Sequence, residues 1–213
     1  MTRRLRLAPL PALLLLTGIA PPPAPGGWAV ITVEDLPDYV VAGQPVTLTY
    51  SVRQHGQTLL RGLKGRIDAE AGRSSATAAA SAGKSTGHYT ATLTLPEVGA
   101  WTLTIRSGFG DSRVTLVPLE AIAAGTRLSR ALPETERGRR LFVAKGCETC
   151  HRPGGAGPEL AGRQLAADYV KVFIANPPAT PRSGTLPMPN LGLKEPEITA
   201  LATVLATERR AQR

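Results

Sequence analysis

The chain has 213 residues, of which 42% are hydrophobic and 19% are charged, a composition that is ordinary for a globular protein and argues against wholesale disorder. Its formal net charge at pH 7 is +9, and most of the excess lies in residues 120–213, which hold fourteen basic and nine acidic residues. No basic run with interleaved aromatic residues accompanies this charge, so the composition argues against nucleic acid as a partner.

The first 27 residues have the layout of a secretory signal. Three arginines within the first six residues precede a short apolar stretch, and small residues follow it. The apolar stretch is shorter than the ~20 residues that a membrane-spanning helix needs, and Pro9 and Pro11 interrupt it. We therefore predict that residues 1–27 are a signal peptide and that the mature protein is exported without a membrane span. Its location would be the periplasm or otherwise the outer side of the cytoplasmic membrane.

Residues 28–118 alternate apolar side chains with threonine, serine or charged residues. Alternation with a period of two predicts strands with one buried face, and about seven such strands between turn residues predict an antiparallel β-sandwich. The stretch GHYTATLTLPEVGAWTLTI predicts a hairpin, with Tyr89 and Trp101 as core residues. Segment 71–82 is low in complexity and is predicted to be a weak strand or a loop. The region resembles the small immunoglobulin-like domains of exported bacterial proteins called YtkA-like, which implies an all-β immunoglobulin-like fold.

After residue 118 the pattern changes from strands to helices. Residues 119–132 are predicted to be a linker, and residues 133–213 a separate all-α domain. The first helix is predicted from Pro133 to about Lys145, because proline suits the first helical position and acidic residues follow it. The next two helices are predicted in AADYVKVFIAN and EPEITALATVLATERR, where apolar residues recur at helical spacing. The predicted fold class is thus two domains, a β-sandwich followed by a helical domain.

Both cysteines of the chain lie in KGCETCH, where His151 directly follows Cys147 and Cys150. An exported protein can form a disulfide here, whereas a thioredoxin-like redox site would follow a strand and this motif follows a predicted helix. A structural zinc site needs four ligands, and this motif supplies too few. C-x-x-C-H is the attachment motif of c-type haem, in which two thioethers hold the porphyrin and the histidine supplies an imidazole nitrogen to the iron. We therefore favour one covalent haem c over a disulfide or a redox dithiol.

Met188 is a candidate for the second axial ligand. It is the single methionine beyond the initiator and lies between Pro187 and Pro189, 37 residues after His151. A lone methionine can simply fill space in a core, but two flanking prolines stiffen the backbone, as a loop that presents a ligand requires. His/Met ligation is the arrangement of cytochromes c and raises the reduction potential. We predict that His151 and Met188 ligate the iron.

Residues 134–210 resemble a small single-haem cytochrome c of the class I type. The resemblance rests on GRRLFVAKGCETCH, on GPEL, on the MP pair at Met188 and on the closing helix. It implies that the carbonyl of Pro158 accepts a hydrogen bond from the second nitrogen of the ligating imidazole, which would orient the ring. In this family the first and last helices cross with a small glycine against apolar side chains. The matching residues are Gly138, Phe142, Leu201 and Leu205.

Two histidines outside the motif suggest copper binding as a separate possibility. His55 lies in a predicted turn and His88 opens a predicted strand, about thirty residues apart. No methionine accompanies them in residues 28–118, and a copper site needs more ligands that converge. We therefore interpret both histidines as surface residues.

These observations favour an electron carrier over an enzyme. A six-coordinate His/Met haem has no open position for a substrate, so its partner would be a redox protein, either a respiratory membrane complex or another cytochrome. Two alternatives stay open. If Met188 is detached, a five-coordinate haem could serve as a peroxidase or gas sensor. The β-sandwich could instead be the main functional part of an accessory or assembly subunit.

Overall fold

A computed structural model of the chain describes residues 27–126, 131–180 and 186–207. All but the last residue of the predicted signal peptide lies outside these ranges. Within them, no helix combines the length and the apolar character that a bilayer crossing requires.

The N-terminal region is rich in β-structure. Its strands are β1 (Ala29–Val33), β2 (Tyr39–Val41), β3 (Pro45–Gln54), β4 (Thr58–Leu59), β5 (Arg66–Ala71), β6 (Ser74–Ala79), β7 (Ser81–Ala82), β8 (His88–Thr94), β9 (Gly99–Arg106), β10 (Arg113–Thr115) and β11 (Leu119–Ile122). One sheet has the order β1-β3-β8-β7, with β4 paired to β3, and the other has the order β2-β11-β9-β5-β6, with β10 paired to β9. Strands β2 and β11 pair in parallel, and the other pairs are antiparallel. We call this two-sheet unit the β-region.

The two sheets enclose one apolar core, because the inward residues of both belong to a single buried cluster. The predicted core residues Tyr89 and Trp101 are 2% and 0% exposed. Burial of a large apolar side chain contributes about 1.5–3 kcal/mol. Many such side chains are fully buried here, including Leu48, Tyr50, Val52, Ile67, Trp101, Leu103 and Ile105. The β-region therefore has a complete core of its own.

The C-terminal region is helical. Its helices are α1 (Glu134–Ala144), α2 (Cys147–His151), α3 (Ala167–Ala175) and α4 (Glu195–Thr207). Helix α1 begins after Pro133, with Glu134 and Glu136 in its first turn, as the sequence predicts. Helices α3 and α4 also fall in the predicted segments, whereas the one-turn helix α2 is too short to produce a periodic signal. We call this unit the helical region.

Helices α1 and α4 cross closely at Gly138. A Cβ added there would lie 2.2 Å from the carbonyl oxygen of Ala200 and 2.9 Å from Cβ of Val204. Because any larger residue would collide with the α4 backbone, the glycine sets the separation of the two helices. Leu201 is buried in the same cluster, and Phe142 and Leu205 pack against it.

The β-region and the helical region are in direct contact through α1. Arg140 is 5% exposed, and its guanidinium donates to the carbonyl oxygen of Asp38 at 2.8 Å and to that of Pro37 at 3.3 Å. Lys145 is also buried and lies between the two regions. Its ammonium donates to the carbonyl oxygen of Glu34, and its own carbonyl accepts from the hydroxyl of Thr32 at 3.3 Å. Lys145 can be buried because its ammonium also forms an ion pair with Glu197 at 2.7 Å, and Arg140 because two of its three guanidinium nitrogens donate to carbonyls.

One segment differs from the sequence prediction, and a second decides between two predicted alternatives. Strand β11 occupies the first four residues of the predicted linker 119–132, because Leu119 and Ala121 are buried in the core of the β-region. A prediction from period-two alternation misses so short a strand. The segment 71–82 contains strands β6 and β7, so the strand alternative was correct there.

Candidate functional site

A cleft of about 590 Å³ lies in the helical region, beside α2 and α3. The residues that line it include all five site residues predicted from the sequence, namely Cys147, Cys150, His151, Pro158 and Met188. Met188 is far from the other four in the sequence and reaches the cleft through the segment before α4. The fold therefore brings the predicted residues together in one place.

A left-handed residue between α1 and α2 presents the C-x-x-C-H motif. Gly146 has φ +76°, a conformation that glycine adopts without strain. The amides of Lys145 and Gly146 donate to the last carbonyls of α1, which ends that helix. Helix α2 then begins at Cys147, so Cys147, Cys150 and His151 have spacings of three and four residues and share one helix face.

The ring of His151 is held by the loop that follows α2. Its Nδ1 lies 2.8 Å from the carbonyl oxygen of Pro158. A carbonyl oxygen can only accept, so Nδ1 carries a proton, and in the neutral imidazole Nε2 then keeps its lone pair. Gly157 allows this approach, because a Cβ on it would lie 3.0 Å from Cε1 of the ring. His151 is thus in the tautomer that binds a metal through Nε2.

The two thiols of the motif are protonated at neutral pH. Burial raises the pKa of Cys147 to about 12 and also raises the pKa of Cys150, because the surrounding protein disfavours the charged thiolate. Reactive redox cysteines have lowered pKa values instead. Among the described residues, no group of three or more His, Cys, Asp or Glu residues could hold a metal ion. The pKa shifts of the two thiols are therefore opposite in direction to that of a redox cysteine.

Met188 lies in an extended segment without helix or strand. Its side chain is partly buried and packs against the core cluster of the helical region, as does that of Phe173. The segment lines the cleft through Leu186, Met188 and Leu191. A thioether is thus available at the cleft, together with the imidazole and the two thiols.

The residues of the cleft fit a covalently bound haem. The cleft lies within the size range of ligand pockets, about 300–1,000 Å³. Aromatic and aliphatic side chains line it, among them Tyr169, Phe173 and Leu191. The C-x-x-C-H donors belong to this lining, so a flat apolar ring system with a central iron would find both walls and ligands in this cleft.

Sequence reasoning missed part of this site, because the β-region also lines the cleft. Val30, His55, Gly56 and Gln57 belong to the lining. We interpreted His55 as a surface histidine, and it is an exposed residue of this cleft whose ring lies 5.5 Å from that of Trp28. No local pattern marks these residues, because they reach the cleft only when the two regions meet.

His88 lies elsewhere and does not join His55. Its Nδ1 contacts the carbonyl oxygen of Thr86, and its Nε2 lies 3.2 Å from a carboxylate oxygen of Glu34. The two histidines therefore do not share a ligand set in the described structure.

Comparisons with known proteins match the helical region to one family. Residues 133–203 match the family model described as "Cytochrome C oxidase, cbb3-type, subunit III", which covers about a third of the chain. No curated protein matches the sequence. This match supports a C-terminal cytochrome c domain, a class of domain that binds haem covalently and transfers electrons.

Similar solved structures include three of the S-layer protein SbsC. Domains 1-6 of SbsC are 26% identical over 45% of this chain and 13% of that one, with a TM-score of 0.36. Domains 4 and 5 are 26% identical over 44% of each chain, with a TM-score of 0.35. The structure of rSbsC(31-844) is 24% identical over 48% of this chain and 14% of that one, with a TM-score of 0.36. The matched parts are thus less than half of each SbsC chain, and scores this low do not establish a shared fold.

Proposed function

We propose that the protein is an exported electron carrier with one covalent haem c, ligated by His151 and Met188. The observation that carries this proposal is the arrangement around His151. Its Nδ1 donates to the carbonyl of Pro158, while Nε2 is left for a metal in a cleft that the two thiols and Met188 also line. The cytochrome c domain at residues 133–203 supports the same function.

Each site residue has a separate role in this proposal. Cys147 and Cys150 form thioethers to the two vinyl groups and so keep the cofactor in the cleft. His151 binds iron through Nε2, and the carbonyl of Pro158 orients its ring and increases the basicity of the ligating nitrogen. Met188 supplies the thioether sulfur that raises the reduction potential. A haem held in this way supplies one-electron chemistry, in which its iron alternates between Fe(II) and Fe(III).

The proposed partner is a redox protein at the respiratory membrane. The matching family is described as a subunit of a cbb3-type cytochrome c oxidase. Cytochrome c domains of that kind pass electrons within a respiratory complex, so we infer that this chain exchanges electrons with such a complex or with another cytochrome. The predicted signal peptide agrees with this role, because c-type haem is attached on the outer side of the cytoplasmic membrane.

We also propose that the β-region is an immunoglobulin-like sandwich of the YtkA-like type. In immunoglobulin constant domains, one sheet has the strand order A-B-E-D and the other contains C, F and G. If β1, β3, β8 and β7 are equated with A, B, E and D, the first sheet has that order, and β5, β9 and β11 stand for C, F and G in the second. The strand order therefore supports the proposal.

The test is the replacement Met188→Ala in protein made by a host that matures c-type cytochromes. We expect the wild type to stain for haem, to be low-spin and to show the red-region charge-transfer band of iron–methionine bonding in its oxidised form. Met188→Ala should lose that band, bind carbon monoxide rapidly when reduced and have a lower reduction potential.

Val172→Ala is the matched control, because Val172 is an apolar residue of the same region that is 75% exposed and lies outside the cleft lining. It should keep both the band and the potential. If the wild type lacks the band or binds carbon monoxide as readily as Met188→Ala, the His/Met assignment is wrong. If the wild type carries no covalent haem, the whole proposed function is wrong.

A further inference from the structure

The β-region forms one side of the cleft in the cytochrome c domain. Its contribution comes from the turn between strands β3 and β4, where His55, Gly56 and Gln57 line the cleft, and from Val30 of strand β1. The turn contacts the segment that carries Met188. Gln57 Nε2 donates to the carbonyl oxygen of Pro187 at 2.6 Å, across 130 residues of sequence.

The turn that presents Gln57 is well defined by hydrogen bonds and backbone geometry. His55 and Gly56 have φ values of +51° and +74°, as tight hairpin turns require. The amide of Gly56 donates to the carbonyl of Arg53 at 3.2 Å, and that of Gln57 to the carbonyl of Gln54 at 2.9 Å.

The same turn is tied to the strand next to it. The amide of His55 donates to the carbonyl of Trp28 at 3.0 Å, and the two rings are in contact. Gln57 is therefore presented from a fixed hairpin, since its turn is bonded both to itself and to the chain that leads into β1.

The segment that receives this hydrogen bond has few ways to be held. Pro187 and Pro189 lack amide protons, so neither can donate to a neighbouring element. Residues 186–190 belong to no helix or strand. A hydrogen bond to the carbonyl of Pro187 acts on the peptide unit immediately before Met188. It therefore restrains the backbone from which the thioether side chain extends.

We propose that Gln57 is a positioning residue for Met188: the β-region holds the methionine segment against the cleft of the cytochrome c domain. The proposal rests on the proposed function, since it takes Met188 to be an axial ligand. Without the hydrogen bond, the segment samples more conformations, and each conformation that directs the sulfur away from the iron favours loss of the ligand. The β-region thereby helps to set the strength of the iron–sulfur bond.

Three variants of the full-length holoprotein test the proposal. Gln57→Leu keeps a similar size and removes the donor, whereas Gln57→Lys keeps a nitrogen donor on a longer side chain. The matched control is Gln44→Leu, because Gln44 is exposed and lies at the opposite end of strand β3. Imidazole competes with Met188 for the oxidised iron, so the red-region band measures the fraction of methionine-bound protein during an imidazole titration.

We expect Gln57→Leu to increase the affinity for imidazole about two- to tenfold, the range for removal of one ordinary hydrogen bond. Hydrogen exchange in a peptide that covers residues 186–191 should also become faster. Gln57→Lys should restore part of both effects, and Gln44→Leu should match the wild type. A purely structural role would change the unfolding midpoint without moving the imidazole affinity of the folded protein.

The proposal is overturned if Gln57→Leu binds imidazole as the wild type does, or if Gln44→Leu shows an equal change. In both cases the wild-type band remains, so the His/Met assignment stands. Absence of the band from the wild type is a different outcome, which overturns the assignment of Met188 and with it the role of Gln57.

Discussion

The β-region and the helical region differ in how their apolar side chains are used. In the β-region, inward residues of both sheets form one core and are fully buried, with Trp101 and Leu103 at 0% exposure. In the helical region, several large apolar side chains are only partly buried, because they line the cleft. They include Phe173, Met188 and Leu191, beside a smaller buried cluster.

This difference indicates which region can fold without a molecule bound in the cleft. The four helices have only 11, 5, 9 and 13 residues, and helices this short are marginal in water without tertiary packing. Part of that packing is missing in the helical region as long as the cleft holds water. We therefore expect the β-region to be stable by itself and the helical region to depend on an apolar occupant of the cleft.

The largest effect is expected from Cys147→Ala/Cys150→Ala, which removes both proposed points of covalent haem attachment. The protein should lose most of its helical circular dichroism, because the apolar lining of the cleft is left in water. The β-region should keep its fold, as judged by the dispersed indole N–H signal of Trp101, whose Nε1 donates to the carbonyl of Glu97 at 2.9 Å.

Wild-type protein made in a host that cannot attach c-type haem is the control. It should show the same loss of helix as the double variant, because both lack the covalent cofactor. Retention of full helical signal in either protein would mean that the helical region folds without an occupant of the cleft, as the β-region is expected to do.

A smaller effect is expected from Arg140→Ala at the contact between the two regions. The carbonyls of Pro37 and Asp38 would lose a donor in a buried environment, at a cost of about 1–3 kcal/mol. Both tryptophans lie in or next to the β-region, so fluorescence during urea unfolding reports that region, and haem absorbance reports the helical region. In the wild type the two transitions should coincide, and in Arg140→Ala they should separate.

Arg73→Ala provides the comparison, since Arg73 is exposed in the turn between β5 and β6. Its two transitions should stay together. Coincident transitions in Arg140→Ala would indicate that the contact through α1 does not couple the regions.

The smallest effect is expected from Asp35→Asn, which removes the ion pair of Asp35 with Lys194. Both side chains are more than half exposed, so solvent screens the pair and the unfolding free energy at neutral pH should hardly change. The hydrogen bond from Lys194 lowers the pKa of Asp35 from its ordinary 3.8. A carboxyl with a lowered pKa stabilises the fold above its unfolded-state pKa and loses that effect as the pH falls through the folded-state value.

Urea titrations of the wild type and Asp35→Asn should therefore differ slightly at neutral pH and become equal well below pH 3.8. If the difference in unfolding free energy between the two proteins grew on acidification, the predicted direction of the pH dependence would be wrong.

Much of each region could be predicted from local sequence. Period-two alternation indicated the long strands β3, β8 and β9, and helical spacing indicated α1, α3 and α4. The residues of the motif and Met188 could be selected from the sequence because cysteine and methionine are few in the chain, and the structure brings these residues to one cleft. The pairing of β11 with β2 left no such signal, because each strand has only three or four residues.

The contribution of the β-region to the cleft could not be predicted from the sequence. Gln57 is an ordinary polar residue of a turn, and its contact with Pro187 forms only because the fold brings together two residues 130 positions apart. The buried charge of Arg140 was hidden for a similar reason. The sequence of α1 does not distinguish Arg140 from the other arginines of that helix. The carbonyls to which it donates belong to a loop about a hundred residues earlier.

The contact at Gly146 also bears on the speed of electron transfer. A Cβ at this position would lie 2.5 Å from a methyl carbon of Val30 and 2.6 Å from the carbonyl oxygen of Ile31, so strand β1 rests on the backbone immediately before Cys147. A shift of that backbone after a change in oxidation state would have to displace a strand as well. For the proposed haem, we expect this contact between strand β1 and the backbone at Gly146 to keep the reorganisation energy small.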